Sequence, residues 1–349
     1  MNTSLTVLQS FPAPRSTTNP YLVQLAGGLQ ELPDISVINF SWRAALFAKY
    51  DVFHIHWPEI LVSGHSPLKK LGRQVLTLAL LGRLALARTP IVRTVHNVEL
   101  PEGISVREVF LLRLIDRKTT FYVRLNSRTQ LPTERPSATI PHGHYREWFA
   151  DFPKAQQIPG RISYVGLIRR YKGVEDLITS FRATADTHPE LSLRVGGKPS
   201  TGELGQAMTA LSQGDPRISL NLQYVSDAEL VDTISSSELV VLPYRFMHNS
   251  GGTLAALSLD RPVLVPANDV NQALAVEVGP GWVFQYTGAL TPEIILQTLS
   301  SIAAKGPRRR PDLSSRDWEA GSVAHREAYE RALANGGARS PQPQNAGHP

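Results

Sequence analysis

Short runs rich in Val, Ile and Leu alternate with amphipathic stretches along almost the whole chain. In the first half, strands are predicted at Leu5–Gln9, Ile35–Asn39, Val52–His56, Ile91–Val95, Thr120–Leu125 and Thr139–Ile140. Helical spacing falls between them, near Tyr21–Gln30, Trp42–Lys49, Pro67–Ala87 and Val106–Asp116. Such alternation predicts a parallel sheet covered by helices on both faces. The segment PHGHYREWFADFPKAQQIPG (Pro141–Gly160) interrupts it, being rich in Pro, Gly and aromatics and without a clean period. The pattern restarts with strand Arg161–Val165 and helix Val174–Ala185 and continues to strand Trp282–Gln285 and helix Pro292–Ala303. A final helix is predicted around Trp318–Leu333.

The expected organisation is therefore α/β with two domains, residues 1–145 and 161–312, joined by a connector at 146–160. A C-terminal helix (313–334) able to pack back across the lobes and a disordered tail (335–349) complete it. Two such lobes would face each other across a cleft. Open α/β sheets bind ligands at the carboxyl ends of their strands, so chemistry is expected in the loops that leave those ends.

Bulk properties narrow the classes. A chain of 349 residues has room for two cores. Its net charge of +6 favours anionic partners: nucleic acid, an anionic membrane surface or a phosphorylated small molecule. The absence of cysteine excludes disulfides, thiolate metal sites and a cysteine nucleophile. The start, MNTSLTVLQSFPAPR, lacks the pattern of a secretory signal, so a cytoplasmic protein is expected. Val75–Ala87 is apolar but is interrupted by Arg83, and it falls short of the roughly 20 residues a span needs. With Lys69, Lys70, Arg73, Arg83 and Arg88 around it, it reads either as a core-packing helix or as a basic helix lying on a membrane surface. No DxD pair, P-loop or ligand-spaced histidine set is present, so neither a metal nor a cofactor is expected.

Four strand ends carry candidate chemistry. In ELVVLPYRFMHNSGGTLAALSLDRPVLVP (Glu238–Pro266), a buried strand runs into Tyr244, His248, Asn249 and Ser250, and Gly251, Gly252 and Thr253 open a helix. Free N–H groups and the positive dipole end at such a start suit a diphosphate; the plainer reading is a glycine-containing helix capped by Ser250. In ISYVGLIRRYKGVEDLI (Ile162–Ile178), Arg169, Arg170 and Lys172 are placed to neutralise a leaving pyrophosphate, or form a solvated basic loop. YDVFHIHWPE (Tyr50–Glu59) ends in Trp57, a stacking face for a sugar, and Glu59, a carboxylate that could deprotonate a hydroxyl; its His54 reads as a buried strand residue. VRTVHNVELPE (Val92–Glu102) carries His96, expected to touch donor or orient the base, and Glu99, the second candidate base. The loop after the first strand, with Thr18 and Asn19, is where a second substrate is expected.

These motifs, in this order, resemble the GT-B glycosyltransferases, enzymes of two facing Rossmann-like domains with an interdomain cleft and a C-terminal crossover helix. IPHGHYREWF is similar to their interdomain turn, VGLIRRYKGVEDLI to their phosphate loop and LSLDRPVLVP to their following strand entry. TTNPYLVQL, YDVFHIHWPE, VRTVHN, HGHYREWF, VVLPYRFMHNSGG and VGPGWVF narrow the resemblance to the mannosyltransferases of xanthan-type exopolysaccharide assembly. The resemblance implies inverting, metal-independent transfer of mannose from GDP-mannose to a polyprenyl-diphosphate-linked oligosaccharide. It places the protein peripherally on the inner, anionic membrane face, with no nucleic-acid partner. The two glutamates of many retaining members are replaced by Met247 and Ala255, and the usual loop arginine by Leu167. That leaves Lys172, with Arg169 or Arg170, as the phosphate cations. Two alternatives stay open: the same fold using UDP-glucose or UDP-glucuronate, and a non-catalytic binder of anionic polymers.

Overall fold

The computed structural model describes residues 4–15, 17–97, 100, 103–304 and 309–337. They form two compact units, the first running to Gly143 and resuming at Trp318, the second spanning His144–Asp317. The expected tail lies, from residue 338 onward, outside the described residues.

Unit 1 holds a six-stranded parallel sheet of β1 (Leu5–Gln9), β2 (Ile35–Ile38), β3 (Val52–Ile55), β4 (Ile91–Val95), β5 (Phe121–Arg124) and β6 (Ser137–Thr139), in the order β2-β1-β3-β4-β5-β6. Every residue of β3 and β4 is buried, as expected where helices cover both faces of a parallel sheet. Strand alternation divides the core. Val7, Val52, Val92, Phe121 and Val123 pack with α1 (Pro20–Gln30) and with the C-terminal helix Trp318–Gly337. Leu8, Phe53, Ile55 and Ile91 pack with α2 (Trp42–Phe47), α3 (Glu59–Val62), α4 (Pro67–Ala87) and α5 (Val106–Lys118).

The helix starts follow local chemistry. Asn19, Ser41 and Ser66 cap α1, α2 and α4, and Ser105 with Glu108 forms a capping box on α5. The C-terminal helix is part of this unit because Tyr329, Ala328 and Ala332 bury against the sheet and α1. Gly143 admits it: a Cβ there would lie 2.3 Å from the Trp318 ring.

Unit 2 repeats the plan with β7 (Arg161–Val165), β8 (Ser192–Gly196), β9 (Ile218–Asn221), β10 (Leu239–Val241), β11 (Val263–Pro266) and β12 (Val283–Tyr286), ordered β12-β11-β10-β7-β8-β9. Its helices are α6 (Val174–Arg182), α7 (Gly202–Ser212), α8 (Asp227–Ser235), α9 (Gly251–Ser258), α10 (Asp269–Val278) and α11 (Pro292–Ala304). The aromatics of the irregular segment after Gly143 are anchors for this core. Tyr145 and Phe149 are buried in it, and Trp148 donates from Nε1 to Asp227 at 3.0 Å.

In each sheet the strand order reverses between two neighbours, β1 and β3 in unit 1 and β7 and β10 in unit 2. Loops leaving such a pair diverge to opposite sides and open a crevice, the usual ligand position in open α/β sheets.

Candidate active site

The reversal in unit 2 brings the basic loop and the glycine-bearing helix start side by side. The loop after β7 ends in a 3-10 turn, Arg170–Lys172, closed by Gly173 in the left-handed region (φ 62°). A Cβ on Gly173 would lie 2.3 Å from the Pro243 carbonyl, so only glycine lets the loop after β10 approach this closely. Arg245 N–H donates to the Tyr171 carbonyl at 2.7 Å, tying the same two loops. The Lys172 ammonium lies 4.8 Å from the centre of the Tyr244 ring. Burial, aided by nearby Arg169, lowers the Lys172 pKa to about 8. Arg169 and Arg170 are exposed.

Beyond Tyr244 the chain turns through half-buried His248 and Asn249 to Ser250, whose hydroxyl accepts from Thr253 N–H at 3.2 Å and caps α9. The first-turn N–H groups of a helix have no partner within it. Gly251 and Gly252 keep the helix start clear of side chains, next to the Tyr145 and Tyr244 hydroxyls. The Thr253 hydroxyl oxygen is buried there without a hydrogen-bond partner. Two residues not singled out in the sequence hold this loop: Asn268 donates to the Met247 carbonyl at 3.0 Å, and Asn271 donates to the Met247 sulfur at 3.3 Å. Their signal was local, since Asn268 caps α10 by accepting from Asn271 N–H, but their reach to Met247 is tertiary.

The reversal in unit 1 gathers histidines and aromatics. His54 bonds Tyr329 through Nδ1 and Thr94 through Nε2, both at 2.8 Å, the satisfied strand histidine expected. His56 Nε2 lies 3.0 Å from Gln9 Oε1, and its Nδ1 lies 3.3 Å from His96 Nε2. Burial, with repulsion from neighbouring imidazoles and, at His96, from Arg93, holds the pKa values of His54, His56 and His96 well below the usual histidine range. All three are therefore neutral at neutral pH. With Gln9 as acceptor, His56 donates from Nε2 and accepts at Nδ1 from His96, which makes Nδ1 the unprotonated nitrogen of His96. Trp57 stacks on His96 at 4.1 Å between ring centres, and the Tyr21 ring meets His96 edge-on at 5.1 Å. Thr18 and Asn19 shape the entering loop: the Thr18 hydroxyl accepts from Arg15 N–H at 2.8 Å, and Asn19 caps α1 through Tyr21 N–H at 3.0 Å.

Glu59 begins α3, a single turn that the hydrophobic pattern does not signal. It lines a cavity of about 420 Å³ with Arg93, Asn97 and Asp116, on the side of the sheet covered by α5. The histidines lie toward α1 and the C-terminal helix. Glu59, at the start of α3, shares the face of Arg93, and His96 lies on the other: Arg93 and His96 are three residues apart along β4 and its end, so alternation sends them to opposite faces. Glu99 lies outside the described residues. Among the described residues no group of three or more His, Asp or Glu is placed to hold a metal.

Two parallel Rossmann-like sheets with loops of this kind at their reversal points are the arrangement of the GT-B fold. Solved structures agree on the fold. Sucrose-phosphate synthase from Thermosynechococcus elongatus superposes with a TM-score of 0.63 at 13% identity, covering 95% of this chain and 99% of that one. Anabaena Alr3699/HepE in complex with UDP and glucose gives 0.58 at 13% identity, covering 95% and 98%. No family model matches the sequence. Two sequences from Xanthomonas campestris pv. campestris named GDP-mannose:glycolipid 4-β-D-mannosyltransferase are each 44% identical over 335 residues, 95% of this chain and 94% of theirs. The chain belongs to that mannosyltransferase family.

Proposed function

We propose that this chain moves mannose from GDP-mannose to a glycolipid and forms a β-1,4 linkage with inversion at the anomeric carbon. The observation that carries the reading is the 44% identity to enzymes of that name over 95% of the chain. The acceptor is a polyprenyl-diphosphate-linked oligosaccharide of exopolysaccharide assembly, met at the inner face of the membrane. Lys172, exposed Arg169 and Arg170, the N–H groups of Gly251 and Gly252 and the Thr253 hydroxyl hold the diphosphate of the donor, with Tyr244, His248, Asn249 and Ser250 lining its place.

An acceptor hydroxyl gives its proton to Glu59, and its oxygen attacks the anomeric carbon. The bond from that carbon to the β-phosphate oxygen breaks, and its electron pair leaves with GDP. Lys172 and the helix start stabilise the charge that grows there, without a metal ion. Trp57 offers a face for the acceptor sugar. A second reading makes His96 the base, supported by its neutral state and its stacking on Trp57.

A transfer assay with labelled GDP-mannose and membrane glycolipid tests the assignment. Lys172→Ala is expected to lower kcat/KM at least a hundredfold, and Glu59→Gln by a similar factor through kcat. Near-normal transfer by both variants overturns the site. Loss in His96→Asn with retention in Glu59→Gln moves the base to the histidine. Transfer from UDP-glucose in preference to GDP-mannose overturns the donor.

A further inference from the structure

The cavity beside Glu59 has walls that are not satisfied by the protein itself. Arg93 rises into it from β4 and is 7% exposed. Its guanidinium is paired with Asp116 through Nη1, yet its Nε is buried with no hydrogen-bond partner. Oε2 of Glu59, on the same cavity, is likewise buried and unpartnered. Leaving a buried polar atom unpaired costs roughly 1–3 kcal/mol, and more when the group is charged, so two on one cavity mark a place that something else fills. The volume of about 420 Å³ falls in the range of roughly 300–1,000 Å³ typical of small-molecule sites.

The chemistry of the walls selects the occupant. Arg113 and Arg117, both exposed on α5, join Arg93 in the lining, against the carboxylates of Glu59 and Asp116. Asp116 is committed to Arg93 and lies 3.4 Å from the Tyr122 hydroxyl. Guanidinium groups therefore outnumber the carboxylate left uncommitted. Arg93 Nε needs an acceptor, which a carboxylate or phosphate oxygen supplies in charge-assisted form. Glu59 needs a donor, and a hydroxyl supplies it. One ligand that carries an oxyanion beside hydroxyl groups satisfies both atoms.

We infer that this cavity is an anion subsite for the acceptor, in which Arg93, Arg113 and Arg117 hold an oxyanion of the glycan while an adjacent hydroxyl meets Glu59. The inference rests on the reading of Glu59 as base and adds to it a reason why the reacting hydroxyl stops there. It makes the three arginines selectors for a negatively charged acceptor, whether the charge is a sugar carboxylate or a glycan phosphate.

Calorimetric titration of the full chain, with GDP at saturation to occupy the donor site, tests the subsite. Sodium galacturonate and inorganic pyrophosphate are the two probes, and the one that binds identifies the source of the charge. Binding of at least one probe is expected, weakened tenfold or more in the Arg113→Ala/Arg117→Ala variant, whose substitutions are on the surface. Arg93→Lys, which keeps the charge and removes Nε, is expected to weaken it as well. In transfer assays the double variant should raise the acceptor KM while the GDP-mannose KM stays put. If neither probe binds, or if both variants bind as the wild type does, the subsite is overturned. GDP affinity is read separately, so a wild-type chain that binds GDP but neither probe sinks the subsite alone. Probe binding that depends on the arginines in a chain that fails to bind GDP sinks the donor reading alone.

Discussion

Lys172 shows how far a single residue's environment can set its chemistry. A half-buried ammonium over the Tyr244 ring, close to Arg169, holds its proton less tightly than a free lysine and titrates at about 8. It is cationic below that pH and neutral above it. Because kcat/KM reports the free enzyme, kcat/KM for the sugar-nucleotide donor is expected to fall as pH rises through about 8, approaching tenfold per pH unit. Lys172→Arg keeps the charge at any pH reached and should remove that limb. A flat profile for the wild type between pH 7 and 9.5 would show that Lys172 does not carry the phosphate. The lysine itself was legible in the sequence from the strand–loop–helix around it. Its burial was not, because Tyr244 lies 72 positions along the chain (244 − 172) and reaches it only through the β7–β10 pairing.

At the scale of elements, α4 bears on two readings left open by its sequence. Gln74, Thr77, Leu80, Leu81 and Leu84 face the core, while Leu68, Leu71, Val75, Leu78 and Leu86 form an exposed apolar stripe. Exposed Lys69 and Arg88 stand near its ends, and Phe47 of α2 and Phe110 of α5 are exposed as well. One face packs and the other remains available, which supports contact with an anionic bilayer in a protein that uses a glycolipid. Among the described residues no helix is long and apolar enough to cross a membrane. Vesicles containing phosphatidylglycerol should bind the chain in a salt-sensitive way. Lys69→Ala and Arg88→Ala should each weaken binding roughly fivefold, at about 1 kcal/mol per basic residue near the surface. Leu71→Ser with Leu78→Ser should weaken it further without loss of folding. Equal sedimentation of all these variants with the vesicles would rule out α4 as the contact.

For the molecule as a whole, the C-terminal helix closes unit 1 around buried histidines. Its Tyr329 bonds His54, and its His325 lies beside the His54 ring and donates from Nδ1 to the Gly321 carbonyl. With a carbonyl as partner, Nδ1 is the donor. Burial lowers the His325 pKa to about 4, against about 6.5 in an unfolded chain. The unfolded chain binds the proton more readily, so stability is greatest above pH 6.5 and falls as pH drops toward 4. His325 alone accounts for a loss on the order of 3 kcal/mol across that window, and His54, His56 and His96 act in the same direction. Thermal melts are expected to show Tm falling from pH 7 to 4, with a shallower fall in His325→Gln. A Tm independent of pH over that range would mean the cluster is not held neutral.

What the sequence determined by itself was everything that local rules govern. Strand alternation, helical spacing, Ser and Asn caps and the glycines of tight loops act over a few neighbouring residues, so β1, β4 and α4 could be read to their observed ends. The two-sheet plan followed from the order of those elements. Only the tertiary structure decided which strand ends became neighbours, since strand order and its reversal depend on packing between distant segments. That packing gave His54 a partner 275 residues away and set Glu59 with Arg93 on one face of the sheet and His96 with Tyr21 on the other. It also left Arg93 Nε and Glu59 Oε2 buried beside one cavity, because unmet hydrogen-bonding capacity becomes visible only when every potential partner has a position.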